Sequence, residues 1–371
     1  MSASPPSPSP SIDRAAEKLV RALGPGTTRR RRAAAPATEK RTATKRLRRA
    51  RPEDLTITRL RHGQSFSYRD AEGEKVADEE TLARIRSLAI PPAYRDVRIS
   101  ADPLSHLQAI GRDDAGRIQH RYHPDWEKVR ERRKLKRLAQ LIAALPKLRA
   151  QIAIDLRSRT LDKNKALACA AAIIDRCHIR VGNETYAKAN GSHGASTLLK
   201  RHVTLSGAQV SLHFRGKSSK EIACSLSDAA LARAVKRIAT LPGRRLLQYR
   251  REDGSIAPIH AGEINDYLKR VSGLPISSKD LRMLAANAAA AELLLAAEEA
   301  VSETGRKRQL ADIMRQISER LANTPAVVRK SYVHAIVVDA YATGRLQRSY
   351  ARVRASGRCS RIERALALLS A

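Results

Sequence analysis

The spacing of apolar and polar positions divides the chain into a β-rich stretch followed by a longer helical one. Leu55, Ile57 and Leu60 give a short strand start, and residues 66–76 read as a hairpin turning at 70–73. Residues 78–89 place Leu82, Ile85, Leu88 and Ala89 on one helical face, and Pro91-Pro92 stops that helix. Strands are predicted at 97–100 and over 107–122, the latter folded back at 113–116. From Trp126 the period becomes helical: 127–145, a break at Pro146, then 148–156 and 162–177, where Leu167, Ala170, Ala171 and Ile174 recur at helical spacing. Alternation returns over 202–227, where Val203 and Leu205, then Val210, Leu212 and Phe214, then Ile222, Cys224 and Leu226 predict three short strands. Residues 215–219 form the turn between the last two. Helices are predicted over 228–241, 261–271, 277–299, 308–322 and 331–343, with 249–259 a polar loop and the remainder to Ala371 basic and partly helical.

The fold class expected is α+β. A small β-rich domain over 52–130 precedes a larger, mainly helical domain over 131–371 that holds a small three-stranded antiparallel sheet. A length of 371 residues and a hydrophobic share of 42% allow both cores. Lys and Arg number 71 against 37 Asp and Glu, a net charge of +34. Such an excess points to a polyanionic partner, nucleic acid first and an anionic membrane surface second. No run of 18 or more apolar residues is present, so no transmembrane helix is expected. Residues 1–51 are rich in Pro, Ser, Ala and Arg and are expected to be a disordered basic tail. That tail either adds attraction for phosphate or merely solubilises, with a transit peptide as a third reading. It opens M-S-A-S-P-P-S-P-S-P, without the apolar core of a secretory signal. Cys169, Cys177, Cys224 and Cys359 form no C-x-x-C pair and read as reduced thiols of a cytoplasmic protein.

Candidate chemistry centres on residues 321–333, L-A-N-T-P-A-V-V-R-K-S-Y-V. Tyr332 follows Arg329 and Lys330 and lies nine residues after Asn323. A phenol among cations ionises below its ordinary pKa of about 10 and can act as a nucleophile, and the same cations attract a phosphodiester. Read alone, the stretch favours a Pro-interrupted helix whose Tyr packs on the core. Arg180 precedes Gly182 at a bend, Lys217 stands on a hairpin tip, and Arg282 lies in the first turn of a helix, where amides favour an anion. Arg112, Arg117, Gln119, His120 and Tyr122 flank the 113–116 turn; cations there suit phosphates and an amide suits base edges. The glycines around Arg180 fit neither G-x-x-x-x-G-K-[ST] nor G-x-G-x-x-G, so no nucleotide is expected. No D-x-D, H-E-x-x-H or acidic set predicts a metal, and no cofactor is expected. Phosphoryl transfer without a metal needs cations on the transition state and an acid for the leaving oxygen. Arg180, Lys217, Arg282, Asn323 and Tyr332, in that order, supply such a set.

The chain resembles the type IB DNA topoisomerases, specifically their small bacterial and poxvirus-type branch. The likeness rests on I-P-P-A-Y-R-D-V at 90–97, A-I-G-R-D-D-A-G-R at 109–117, Y-H-P at 122–124 and R-V-G-N-E-T-Y at 180–186. It continues with F-R-G-K at 214–217, K-D-L-R at 279–282 and N-T-P-A-V-V-R-K-S-Y at 323–332, and spans about residues 53–340. The resemblance implies a clamp closing on duplex DNA. It implies Tyr332 as the nucleophile of a 3′-phosphotyrosyl bond, Arg180 and Arg282 on the non-bridging oxygens and Lys217 as the acid for the 5′-oxygen. It further implies relaxation of supercoils by a single chain near the nucleoid without ATP or metal, Arg329 and Lys330 lying among the DNA contacts. Asn323 replaces a histidine of the poxvirus enzymes; it can donate hydrogen bonds but cannot transfer a proton. His120 stands where that branch has a DNA-contacting Tyr.

Two other readings share features of the chain. A tyrosine recombinase would use the same covalent chemistry, but typically carries H-x-x-R where this chain has Lys279-Asp280-Leu281-Arg282, and its N-terminal part is usually helical. A DNA-packing protein would explain the charge but not the placed tyrosine.

Overall fold

The computed structural model describes residues 46–298, 300 and 302–370. The tail expected over 1–51 therefore lies almost wholly outside the described residues. Its last part is ordered: the Arg48 amide donates to the Leu104 carbonyl and the His106 amide to the Arg48 carbonyl. The described chain falls into two compact units, divided between Lys134 and Leu135.

In the first unit, alternation generates an antiparallel sheet of order β2-β1-β3-β4-β5. Its strands are β1 (Ile57–His62), β2 (Ser65–Arg69), β3 (Arg95–Ile99), β4 (Leu107–Arg112) and β5 (Ile118–Tyr122). Ile57, Val97, Ile99 and Ala109 turn inward and meet Ile85 of α1 (Glu79–Ser87). Asp78 caps α1 by accepting from the Thr81 amide. Arg84 fastens it to the sheet through Gln108 Oε1 and the Ser100 carbonyl, both at 2.7 Å. The hairpin expected within 66–76 is present: Arg69 bridges antiparallel to Lys75, the Val76 amide donates to the Tyr68 carbonyl at 2.9 Å, and the Gly73 amide closes the turn on the Asp70 carbonyl. A further hairpin joins β1 to β2, with Gly63 at φ +59° in its turn.

The second unit is built around α3 (Lys163–Cys177), whose residues from Lys165 to Ile174 are buried all round. Alanines on several faces let α5 (Ala229–Ala239), α6 (Ala261–Ser272) and α7 (Ser278–Ala296) approach it closely. The sheet β6 (Val203–Ser206), β7 (Gln209–Arg215), β8 (Glu221–Ser227) is antiparallel in sequence order. Helices α8 (Glu303–Arg320), α9 (Ala335–Ala342), α10 (Arg345–Arg352) and α11 (Arg361–Ser370) complete the unit, with α4 (Glu184–Asn190) after the Arg180 bend. The α+β expectation, a β-sheet unit followed by a mainly helical one with a three-stranded sheet, is met.

Four local expectations are corrected. Pro146 does not break its helix: α2 runs from Trp126 to Arg157 with the proline inside. A proline there frees the carbonyl of Ile142, and the Cys359 thiol approaches that oxygen at 3.9 Å. Residues 249–259 are not merely loop, because β9 (Gln248–Arg250) pairs with β10 (Ile256–Pro258). The helix expected over 331–343 begins only at Ala335, and Tyr332 instead ends a π-helical turn, Val328–Tyr332. Lastly, Cys177 and Cys224 are not free thiols but a disulfide, with Cα atoms 5.8 Å apart. Cys177 ends α3 and Cys224 lies in β8, so residues far apart in the sequence are brought within bridging distance.

Candidate active site

The site is assembled from four segments of the second unit. The first is the bend after α3. His178 takes the left-handed conformation, φ 55°, and terminates the helix. The chain then runs from Arg180 to Gly182 against residues 194–196, the Ala195 amide donating to the Arg180 carbonyl at 2.9 Å. This approach requires glycine. A Cβ on Gly194 would lie 2.5 Å from the Gly182 nitrogen, and Gly182 itself has φ +98°.

The second segment is the start of α7. Ser277 and Asp280 form a capping box, the Ser277 amide donating to Asp280 Oδ2 at 2.8 Å. Arg282 follows on the buried face, 4% exposed. Its Nη1 donates to the His178 carbonyl and its Nη2 to the Leu321 carbonyl. The guanidinium is thus locked between the first segment and the third, which is the turn after α8.

In that turn Ala322 is left-handed, φ 48°, and Asn323 is buried, its amide bound to the Ser318 carbonyl. Asn323 Oδ1 accepts from Arg180 Nη2. The π-helical turn supplies the fourth segment. The Val333 amide reaches back to the Val328 carbonyl at 3.0 Å, and the extra residue of that turn presents Tyr332 inward. The Arg282 guanidinium carbon lies 5.7 Å from the centre of the Tyr332 ring.

Burial alone would push the Tyr332 phenol up. The charge and hydrogen bond of Arg282, the charge of Arg180 and the hydrogen bond of Asn323 overcome it, and the net shift is downward. Burial in turn holds the Arg282 guanidinium below its ordinary value. Asn323 Nδ2 is buried with no partner of good hydrogen-bond geometry, so its influence on the phenol is one of close approach. Arg282 Nε is likewise buried and unpartnered. The site therefore couples an ionisable oxygen to donors that a tetrahedral or pentacoordinate anion could engage.

Arg180, Arg282, Asn323 and Tyr332 are thus brought together. Lys217 lies apart from their contacts, exposed on the tip between β7 and β8, where Ser218 and Ser219 are left-handed at φ 57° and 58°. Gly216 is required at its base, since a Cβ would stand 2.8 Å from Ile222 Cγ1. Arg329 and Lys330 are exposed on the π-helical turn, and the cations that act on the phenol are the two arginines instead.

In the first unit, Arg117 pairs with Asp113 at 2.9 Å and Gln119 Nε2 donates to the same carboxylate. Arg112 is divided between Asp96 and the Gly116 carbonyl. His120 and Tyr122 are exposed, their rings stacked at 6.0 Å, and Tyr122 continues to Trp126 at 6.2 Å. The hairpin thus presents an exposed aromatic row among arginines, while the amide of Gln119 is held by Asp113.

Sequence reasoning missed Asn287, one and a half turns beyond Arg282 and fully buried. Its Nδ2 donates to the Tyr332 carbonyl at 2.9 Å, and its Oδ1 accepts from the His334 amide at 2.8 Å. One side chain thereby holds the backbone on both sides of Val333, the residue after Tyr332. The signal was a lone amide in the run A-A-N-A-A-A-A. Asn287→Leu is expected to leave both backbone groups unpaired, lowering stability by about 2–6 kcal/mol at roughly 1–3 kcal/mol each. Urea unfolding checks the cost, and a misplaced Tyr332 lowers the single-turnover rate with it.

The helical unit with its three-stranded sheet, in which the buried Tyr332 is drawn below its usual pKa by two arginines, is that of a DNA topoisomerase. The chain belongs to the type IB DNA topoisomerase family. Residues 123–355 match the family model described as the eukaryotic DNA topoisomerase I catalytic core, and residues 65–113 match the bacterial DNA topoisomerase IB N-terminal domain. DNA topoisomerase 1B of Acanthamoeba polyphaga mimivirus is 31% identical over 292 residues, covering 77% of this chain and 87% of the viral protein.

Proposed function

We propose that this topoisomerase relaxes supercoiled duplex DNA by cutting one strand through Tyr332 and resealing it, with no need for ATP or a metal. The observation carrying this reading is the convergence of Arg180, Arg282 and Asn323 on the Tyr332 phenol. The phenol releases its proton to solvent, and its oxygen attacks phosphorus. The bond from phosphorus to the 5′-oxygen breaks, and that oxygen takes a proton from Lys217. The 3′-phosphotyrosyl link retains the phosphodiester's energy, so rejoining needs no nucleotide. Arg180 and Arg282 neutralise the non-bridging oxygens, for which a guanidinium fork is suited. Asn323 acts as a hydrogen-bond donor. The exposed His120–Tyr122 row, Arg112, Arg117, Gln119, Arg329 and Lys330 take DNA outside the cleavage site, residues 52–130 forming a separate DNA-binding domain. One chain suffices for the reaction.

The test is relaxation of a plasmid in EDTA without ATP, with the covalent adduct trapped by denaturant. The plasmid carries no paired recombination sites, so a recombinase would leave it unrelaxed. Lys217→Ala is expected to slow cleavage by about 10²–10⁴-fold, the usual contribution of a general acid. A 5′-bridging phosphorothiolate leaves as a thiolate and needs no proton. It should restore Lys217→Ala but not Arg180→Ala, and equal rescue of both would remove the assignment.

A further inference from the structure

The Lys217 tip is strained and exposed, yet a proton donor must be held in place. What fixes it lies three residues on. Lys220 closes the tip: the Gly216 amide donates to the Lys220 carbonyl at 2.7 Å, and the Lys220 amide faces the Lys217 carbonyl at 3.4 Å. Its ammonium then leaves the hairpin and donates to the backbone carbonyl of Asn323 at 2.5 Å. Asn323 is the residue whose side chain engages Arg180 and approaches the phenol. The turn holding Asn323 is gripped by three cations from three segments: Arg282 on the Leu321 carbonyl, Arg180 on Asn323 Oδ1 and Lys220 on the Asn323 carbonyl.

We infer that Lys220 is a positioning residue that docks the Lys217 hairpin on the Asn323 turn, bringing the acid into register with the nucleophile's pocket. The inference rests on the reading of Lys217 as the general acid. The physical case is one of leverage. Two consecutive non-glycine residues at positive φ separate Lys217 from Lys220, and such backbone persists only where its surroundings hold it. An ammonium on a carbonyl at the base of that turn supplies the hold through a charge-assisted hydrogen bond. A proton donor displaced by about 1 Å loses on the order of 10²-fold in rate.

Lys220 is exposed, so replacing it leaves the core unchanged. Lys220→Ala is expected to slow single-turnover cleavage of an ordinary phosphodiester by about 10–100-fold, with noncovalent DNA affinity unchanged. The 5′-bridging phosphorothiolate should restore it, because the misplaced acid is no longer needed. Lys220→Arg, which can still donate to a carbonyl, should recover most of the rate. Adding Lys220→Ala to Lys217→Ala should slow cleavage no further. A wild-type rate for Lys220→Ala overturns the inference, as does slowing that the sulfur substrate leaves in place while it restores Lys217→Ala. Rescue of Lys220→Ala but not of Lys217→Ala would make Lys220 the acid itself and overturn both readings. Rescue of neither variant would remove general acid catalysis by this hairpin altogether.

Discussion

Tyr332→Phe is expected to abolish relaxation and the denaturant-trapped adduct while leaving the fold and noncovalent DNA binding intact. The variant removes one oxygen. The ring stays buried, and the Asn287 clamp on the Tyr332 carbonyl and the His334 amide involves only the backbone of residues 332 and 334. Without the phenolic oxygen there is no atom to take phosphorus, so the loss is one of chemistry and not of affinity. Relaxation activity is measured beside DNA affinity in the same buffer, because affinity for a polyanion depends on salt. Persistent relaxation would transfer the role to another tyrosine of the same unit, Tyr341 or Tyr350 being nearest in sequence.

Arg282→Ala is expected to have the next largest effect, a fall in cleavage of at least about 10²–10³-fold, the usual loss on removing one transition-state donor. The change also strips the donors from the His178 and Leu321 carbonyls, costing roughly 1–3 kcal/mol for each group left buried. A further signature separates this variant from a merely destabilised protein. Arg282 is the foremost of the groups that draw the Tyr332 pKa down, opposing the larger upward push of burial. The phenol must therefore ionise at higher pH once the guanidinium is gone, so the limb of the rate profile that rises with pH should move to more alkaline values. An unmoved limb would exclude Arg282 as the group that activates Tyr332. Arg282→Lys should fail too, because a single ammonium cannot serve two carbonyls and a phenol with the fork's fixed geometry.

The fold was largely legible because its two periods are clean. Val210, Leu212 and Phe214 alternate strictly and become one buried face of β7, and Asp162 and Asp228 stand where helices start and cap them. The failures have local causes. Pro146 reads as a breaker because its consequence for Ile142 is visible in sequence, whereas the approach of Cys359, more than two hundred positions later, is not. The Cys177–Cys224 pairing depends on where α3 ends beside β8, which no spacing rule contains. At the site, residue types and order were readable, but the source of the cationic field was misplaced. Arg329 and Lys330 are neighbours of Tyr332 in sequence, yet a π-helical turn points them outward and hands the phenol to arginines at positions 180 and 282. Asn287 escaped notice because its partners are backbone groups, which carry no residue signature.

The bond between Cys177 and Cys224 makes the intervening chain a covalent ring, and Arg180 and Lys217 both belong to it. Cutting one peptide bond inside a ring does not yield two molecules. A protease that severs the exposed tip at 217–220 would leave the oxidised protein migrating as a single species, and the two halves would part only when the sulfurs are reduced. Closing a ring of this size removes chain entropy worth about 4 kcal/mol from the unfolded state. Oxidised and reduced protein should therefore differ in the temperature at which the second unit melts, as well as in how they tolerate that cut.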